Sequence, residues 1–202
     1  MCAGADAVAS YTVGMAIKTR VSLKDFLAQP ERSEPPYLEL MDGEVYEKPM
    51  VGRRHSRIVT YLVARLYTYL ERTGEAHVDT ELRHAFMPDE WVFLPDISVT
   101  LRERQPLAPA EDDQGPVEVM PDFAIEVLSP GDQPGRITRR ISHYLESGVR
   151  LLWVIDPEAE IITVFSPGQE PRNVVAPAKL PASPVLGDFE LDLEALFASL
   201  HD

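Results

Sequence analysis

The chain has 202 residues, 45% hydrophobic and 26% charged, which suffices to bury a core within one ordinary domain. Its formal charge of -14 predicts an acidic surface that repels polyanions except where basic residues gather, so unspecific nucleic-acid coating is excluded. Cys2 is the one cysteine, which rules out an internal disulfide framework or a cysteine-based zinc site, and no apolar run approaches the roughly 20 residues that cross a bilayer. A cytoplasmic protein without membrane association is expected.

Residues 1–20 read as an N-terminal extension, and 21–202 as a single domain. Ala7 to Ile17 lacks the basic flank of a signal peptide, and Met15 opens a more convincing coding segment. Ser22 then caps a short helix through Leu27 that ends before Pro30. Asp42-Gly43 between Tyr37–Met41 and Glu44–Glu47 predicts a β-hairpin. Ile58, Leu62, Leu66 and Leu70 recur every four residues and Gly74 stands at a C-cap position, which predicts a helix. From Ala76 to Leu101 the pattern is strand-like, in segments Glu81–Met87, Trp91–Leu94 and Asp96–Leu101, and is expected to form the middle of a sheet. Residues 102–120, rich in Pro, Asp, Glu and Gln, read as a surface loop. Phe123–Leu128, a helix through Ile137, Ile141, Tyr144 and Leu145 stopped by Gly148, and the strand Leu151–Ile155 predict a crossover between parallel strands. Ile161–Phe165 is a strand able to pair with Leu151–Ile155, a Pro-rich stretch runs from Pro167 to Leu186, and Leu191–Leu200 resembles a closing helix.

Alternation of side chains puts Asp96, Ser98 and Thr100 on one face of their strand, and Glu126 on the face opposite Phe123, Ile125 and Val127. An ionised carboxylate among apolar neighbours on a central strand is costly unless a cation or hydrogen bonds compensate it. A divalent metal is one solution, because two carboxylates on neighbouring strands offer the oxygen donors that Mg²⁺ prefers. Pairing of Glu126 with Arg139, Arg140 or Arg150 in a structural network is the other. Trp91 and Trp153 read as core. The clusters Arg136, Arg139, Arg140 and Arg53, Arg54, Arg57 are solvated helix faces or phosphate contacts.

A wider pattern carries more. Tyr37-Leu38-Glu39-Leu40-Met41-Asp42-Gly43-Glu44, His55 at a helix start, Leu94-Pro95-Asp96-Ile97-Ser98-Val99, Pro121–Pro130, Tyr144–Val149 and Trp153-Val154-Ile155-Asp156-Pro157 follow in that order. Together they closely resemble the Uma-two family of restriction-type endonucleases in the PD-(D/E)XK superfamily, from about Val21 to Phe197. The resemblance implies an α/β restriction-endonuclease-like core, a central mixed β-sheet flanked by helices. It implies metal ligation of Mg²⁺ or Mn²⁺ by Asp96, Glu126 and the Val127 carbonyl, with Glu39, Glu44 and His55 near the cleft. Asp122 also follows a proline but lies on the Glu126 strand itself, so Asp96 is preferred. The superfamily's lysine is absent two residues after Glu126, where Leu128 stands. In this family a lysine of the following helix replaces it, and Arg140 occupies that place. Arginine stays charged and stabilises developing negative charge but cannot act as a neutral base. The implied function is Mg²⁺-dependent hydrolysis of DNA phosphodiester bonds, with Arg140 neutralising charge and His55 or a nearby acid orienting water; a homodimer would suit two-strand cutting. The rivals are a catalytically weak nucleic-acid or protein binding module on the same fold, and a structural protein whose carboxylates pair with arginines.

Overall fold

The computed structural model describes residues 20–29, 37–86, 88, 90–104 and 116–201, so the extension at 1–19, Pro30 and most of the Pro-rich loop (105–115) lie outside the described residues. Local signals act where they stand in the sequence. Ser22 accepts the Asp25 N–H at 3.1 Å and starts α1 (Leu23–Leu27). Asp42 and Gly43, with φ of 53° and 73°, supply the paired left-handed residues that turn β1 (Leu38–Met41) into β2 (Glu44–Glu47). In α2 (Arg53–Thr73) the every-fourth apolar stripe is the buried face, and Gly74 at φ 68° lets its N–H close the helix on the Leu70 carbonyl. Burial of each such side chain is worth roughly 1.5–3 kcal/mol.

The central sheet has six strands in the order β10-β9-β8-β7-β6-β3. They are β10 (Arg172–Val175), β9 (Ile161–Phe165), β8 (Leu151–Asp156), β7 (Phe123–Val127), β6 (Ile97–Leu101) and β3 (Ala76–Asp79). Only the β7–β8 pairing in this sheet is parallel, and α3 (Pro134–Glu146) connects the two strands. The sheet is therefore mixed. One face buries Phe123, Ile125, Val127, Trp153 and Ile155 against the stripe of α2 and against Leu193, Leu196 and Phe197 of α4 (Leu193–Ala198). The opposite face puts Ala124, Leu152 and Val154 against Tyr144 of α3 and against Met41, Trp91 and Phe93. Those last three belong to a second sheet, β2-β1-β5-β4, which contains β4 (His84–Phe86) and β5 (Trp91–Phe93), and whose far side is covered by Leu23 and Phe26 of α1.

One expectation is corrected. The stretch 76–101 does not lie together in the middle of one sheet: β3 is an edge of the central sheet, β6 is internal to it, and β4 and β5 leave for the second sheet. Leu94-Pro95 separates β5 from β6, and proline cannot donate to a ladder, so the pairing partner changes there. The Pro-rich stretch after Pro167 carries strands. It contains β10 and β11 (Lys179–Pro181), the latter paired with β12 (Glu190–Asp192), where Pro181 is tolerated in a ribbon of two strands. Among the described residues no helix is long and apolar enough to cross a membrane.

Candidate active site

Period-two alternation aims Glu126 away from the α2 side and toward α3, exactly opposite in direction to Ile125 and Val127. The same alternation in β1 buries Leu40 toward α1 and turns Glu39 and Met41 toward α3. Arg140 of α3 lies between these two acids: its Nη1 donates to Glu126 Oε2 at 3.0 Å, and its Nη2 donates to Glu39 Oε2. Tyr144, one turn later, donates its hydroxyl to Glu126 Oε1 at 2.6 Å, and Glu39 Oε1 accepts the Leu94 N–H at 3.1 Å. Glu39, Glu126 and Arg140 are all buried.

Asp96 sits in the bend that leads into β6. The Pro95 carbonyl faces the Glu81 N–H at 3.2 Å, and Asp96 Oδ2 accepts the Val127 N–H at 2.7 Å, tying the two strand ends together. His55, in the first turn of α2, brings Nε2 to 3.0 Å from the same oxygen, and its Nδ1 is buried without a partner among the described residues. Asp96 Oδ1 accepts from Lys48 Nζ at 2.8 Å. Lys48 also donates to Glu81 Oε2 and the Leu94 carbonyl, each at 2.7 Å, so its three N–H groups are all engaged. Glu81 holds this position with φ of 52°, a left-handed conformation uncommon for a residue with a side chain.

Asp96, Glu126, Val127, His55 and Arg140 therefore line one cavity, together with Lys48 and Tyr144. It encloses about 30 Å³, room for a water or a small cation. Glu44 is not brought there: its Oε2 accepts the Tyr46 hydroxyl at 2.6 Å, on a separate cleft rimmed by Arg20, Asp42 and Trp91. Three other arginines of the predicted clusters have partners outside this cavity. Arg136 donates to the Glu47 carbonyl at 2.9 Å and covers the Tyr46 ring, Arg139 donates to the Tyr46 hydroxyl at 3.1 Å, and Arg54 reaches the Pro157 carbonyl at 3.1 Å. Asp122, at the far end of β7, accepts the Leu101 N–H at 3.0 Å and meets Arg104 at 2.8 Å.

Sequence reasoning misses Tyr144, Glu81 and, above all, Lys48. It follows the hairpin and precedes Pro49, where no periodicity marks it; the available signal was that it is the one lysine between Lys24 and Lys179.

The electrostatics of the two strand-end carboxylates diverge. Burial pushes the Asp96 pKa up, but the Lys48 charge and the His55 hydrogen bond outweigh it and hold the carboxyl well below the usual range. Glu126 goes the other way: burial raises it most, Arg140 opposes, and the Asp96 charge raises it further, from 4.5 to about 7. Lys48 and Arg140 lose some affinity for protons by burial, yet the surrounding acids raise both above their ordinary values, so both remain cations. Asp96, Glu126 and Glu39 thus lie buried with Lys48 and Arg140, three acids against two bases, while the more exposed Glu81 shares Lys48 and Arg136 stands 3.6 Å from Glu39. Each carboxylate oxygen of Glu126 has a single protein partner and a lone pair to spare. Surplus negative charge and free oxygen donors fit a hard divalent cation. The protein alone supplies few ligands: among the described residues, no group of three or more His, Cys, Asp or Glu side chains is arranged to hold a metal ion.

A mixed sheet with an Asp and a Glu at the ends of adjacent strands is the core that the resemblance to restriction-type endonucleases implies. The sequence profile of the Uma2 family, described as "Putative restriction endonuclease", matches residues 23–194, and the chain belongs to that family. A solved structure described as "a putative nuclease belonging to DUF820" from Anabaena variabilis superposes with a TM-score of 0.80 at 30% identity, covering 89% of this chain and 99% of the other. No curated protein matches the sequence.

Proposed function

We propose that the chain is a divalent-cation-dependent endonuclease that hydrolyses phosphodiester bonds in DNA. The observation that supports this reading is that Asp96 and Glu126 line one cavity at the ends of β6 and β7, with Glu39 buried behind Arg140 so that buried carboxylates around it outnumber the buried cations Lys48 and Arg140. Asp96, Glu126 and the Val127 carbonyl would hold Mg²⁺ or Mn²⁺. When bound, the ion supplies charge neutralisation at the phosphoryl oxygens and acidifies water.

The chain's own groups have separable tasks. Lys48 and His55 fix the Asp96 carboxylate, and the permanent charge of Lys48 keeps it ionised. Arg140 is a fixed cation beside the reacting phosphate and offsets charge that develops in the transition state, as oriented donors in a dry site do. Glu39 anchors Arg140 from behind. The unpartnered Nδ1 of His55 is available to orient a water without disturbing the contact of Nε2 with Asp96. Lys48 is a second cation of the site, held on the Asp96 carboxylate, while Arg140 keeps the place in α3 where the resemblance expects a lysine. Glu44 has no part in this scheme.

One observation favours a second reading, a binding module on the nuclease fold: both carboxylates already have a protein cation beside them, Asp96 with Lys48 and Glu126 with Arg140. Calorimetric titration with Mn²⁺, followed by cleavage of plasmid and oligonucleotide DNA in Mg²⁺ by wild type and Glu126→Gln, separates the two. Metal uptake and cleavage, both lost in the variant, sustain the enzyme; metal uptake without cleavage of any substrate sustains the binding module.

A further inference from the structure

The cavity does not end at the carboxylates. Val51, His55 and Asp96 line both the small inner cavity and a much larger groove of about 610 Å³ that runs outward along α2. Its floor is the stripe Val59, Val63 and Tyr67, and its other wall begins with Thr80 and Glu81. From His55 to Tyr67 the helix advances roughly 18 Å at about 1.5 Å per residue. Among the described residues lining the groove none is Lys or Arg, and its acids are the two that already hold Lys48. Tyr67 is 60% exposed at the outer end.

We propose that this groove is a subsite for an unpaired nucleobase of the substrate strand, so that the chain acts on single-stranded or locally unpaired nucleic acid rather than on intact duplex. The inference rests on the phosphodiesterase reading of the cavity. A substrate strand that continues from the scissile phosphate into the groove brings the face of each base as its apolar surface, and Tyr67, roughly 18 Å along the helix from His55, meets a base beyond the nearest nucleotide. Inside a duplex that face is stacked on its neighbours and is not available to a protein groove; extruding a base costs a few kcal/mol, least where it is already unpaired. An aromatic side chain over an apolar floor is the usual platform for unpaired bases, tolerant of sequence because every base has such a face. The absence of Lys and Arg from the lining adds a second consequence. Contacts here release few counterions, so affinity in this groove depends on salt much less steeply than grip on a duplex backbone does.

The test is fluorescence titration of the full chain, in EDTA so that nothing is cut, with an oligonucleotide carrying 2-aminopurine as a single strand and as a duplex, alongside cleavage of both in Mg²⁺. Expected are quenching and tighter binding with the single strand, about tenfold weaker binding for Tyr67→Ala, and near-normal binding for Tyr67→Phe, as removal of one stacking platform predicts. Quenching without any cleavage would retain the subsite while removing the nuclease reading. Cleavage of duplex as fast as single strand, with Tyr67→Ala unchanged, would overturn the subsite and leave the nuclease reading standing. The subsite is equally overturned if Tyr67→Ala alters only the sedimentation of the protein, since the face would then join copies of the chain.

Discussion

Removing the charge of Glu126 and removing that of Asp96 should move stability in opposite directions in the absence of metal. For Glu126, a pKa raised from 4.5 to about 7 means that ionising it in the folded state costs on the order of 3 kcal/mol relative to the unfolded chain. A raised folded value gives stability that is complete below about 4.5 and lost as pH climbs through 7. Glu126→Gln removes this loss but weakens the contact with Arg140, leaving a net gain of about 1–2 kcal/mol at pH 8, or a Tm higher by roughly 3–6 °C. At pH 5 the gain should vanish. Asp96 has the opposite sign, because a depressed pKa gives stability present above its ordinary 3.8 and lost only as pH falls below it. Asp96→Asn turns an amide N–H₂ toward Lys48 or toward the Val127 N–H and His55, and breaking such a buried pair costs about 3–5 kcal/mol. The assay is calorimetric melting in EDTA between pH 5 and 8. Mg²⁺ should then raise the Tm of wild type, by about 2.7 kcal/mol of added stability at a hundredfold excess over Kd, and should not raise that of Glu126→Gln. If Glu126→Gln melts lower than wild type at pH 8 by as much as Asp96→Asn does, Glu126 is a structural partner of Arg140 and the surplus-charge argument fails.

Three further outcomes are expected. Lys48→Met, close in shape but uncharged, should lower stability by about 3–5 kcal/mol because Asp96 and Glu81 lose a shared cation, and should abolish cleavage; a variant of native stability on denaturant titration would refute the role given to Lys48. Arg140→Ala should slow cleavage on the order of a hundredfold, the 2.7–4 kcal/mol typical of a fixed electrostatic donor, while Arg140→Lys preserves or increases the rate; single-turnover cleavage at saturating metal distinguishes them from the parent. Mn²⁺ affinity should fall about tenfold per unit as pH drops below about 7, since the ion must displace the proton of Glu126, and calorimetry in two buffers of different ionisation enthalpy should count that proton.

The elements were legible where a local rule decides them. The stripe Ile58, Leu62, Leu66 and Leu70 and the Asp42-Gly43 turn are written in consecutive residues, and strands β7, β8 and β9 announce themselves as apolar runs between turns. The division of β4, β5 and β6 between two sheets is not, because each is short, apolar and flanked by proline, and its partner is chosen by strands distant in the chain. Trp91 and Phe93 could face one apolar layer as well as another until β1 is known to lie beside them.

The candidate site divides along the same line. Asp96 and Glu126 are recognisable because a charged residue beside a buried strand contradicts its surroundings, and the alternation of β7 tells which way Glu126 faces. Glu39 gives the same contradiction within β1, but Glu44 shares its residue type and its hairpin, and only the turn of that hairpin toward α3 separates the acid inside from the acid outside. Lys48 gives no contradiction at all, since a lysine between Glu47 and Pro49 after a turn is ordinary surface chemistry. It becomes a site residue because the connection from β2 to α2 must pass the end of β6 to bring His55 to Asp96, and that passage carries Lys48 into reach of the same carboxylate. A cation placed by chain path rather than by strand spacing leaves no motif. Its trace is electrostatic: the acidic cluster would be untenable without cations, and two reach it, Lys48 from the connection between β2 and α2 and Arg140 from α3.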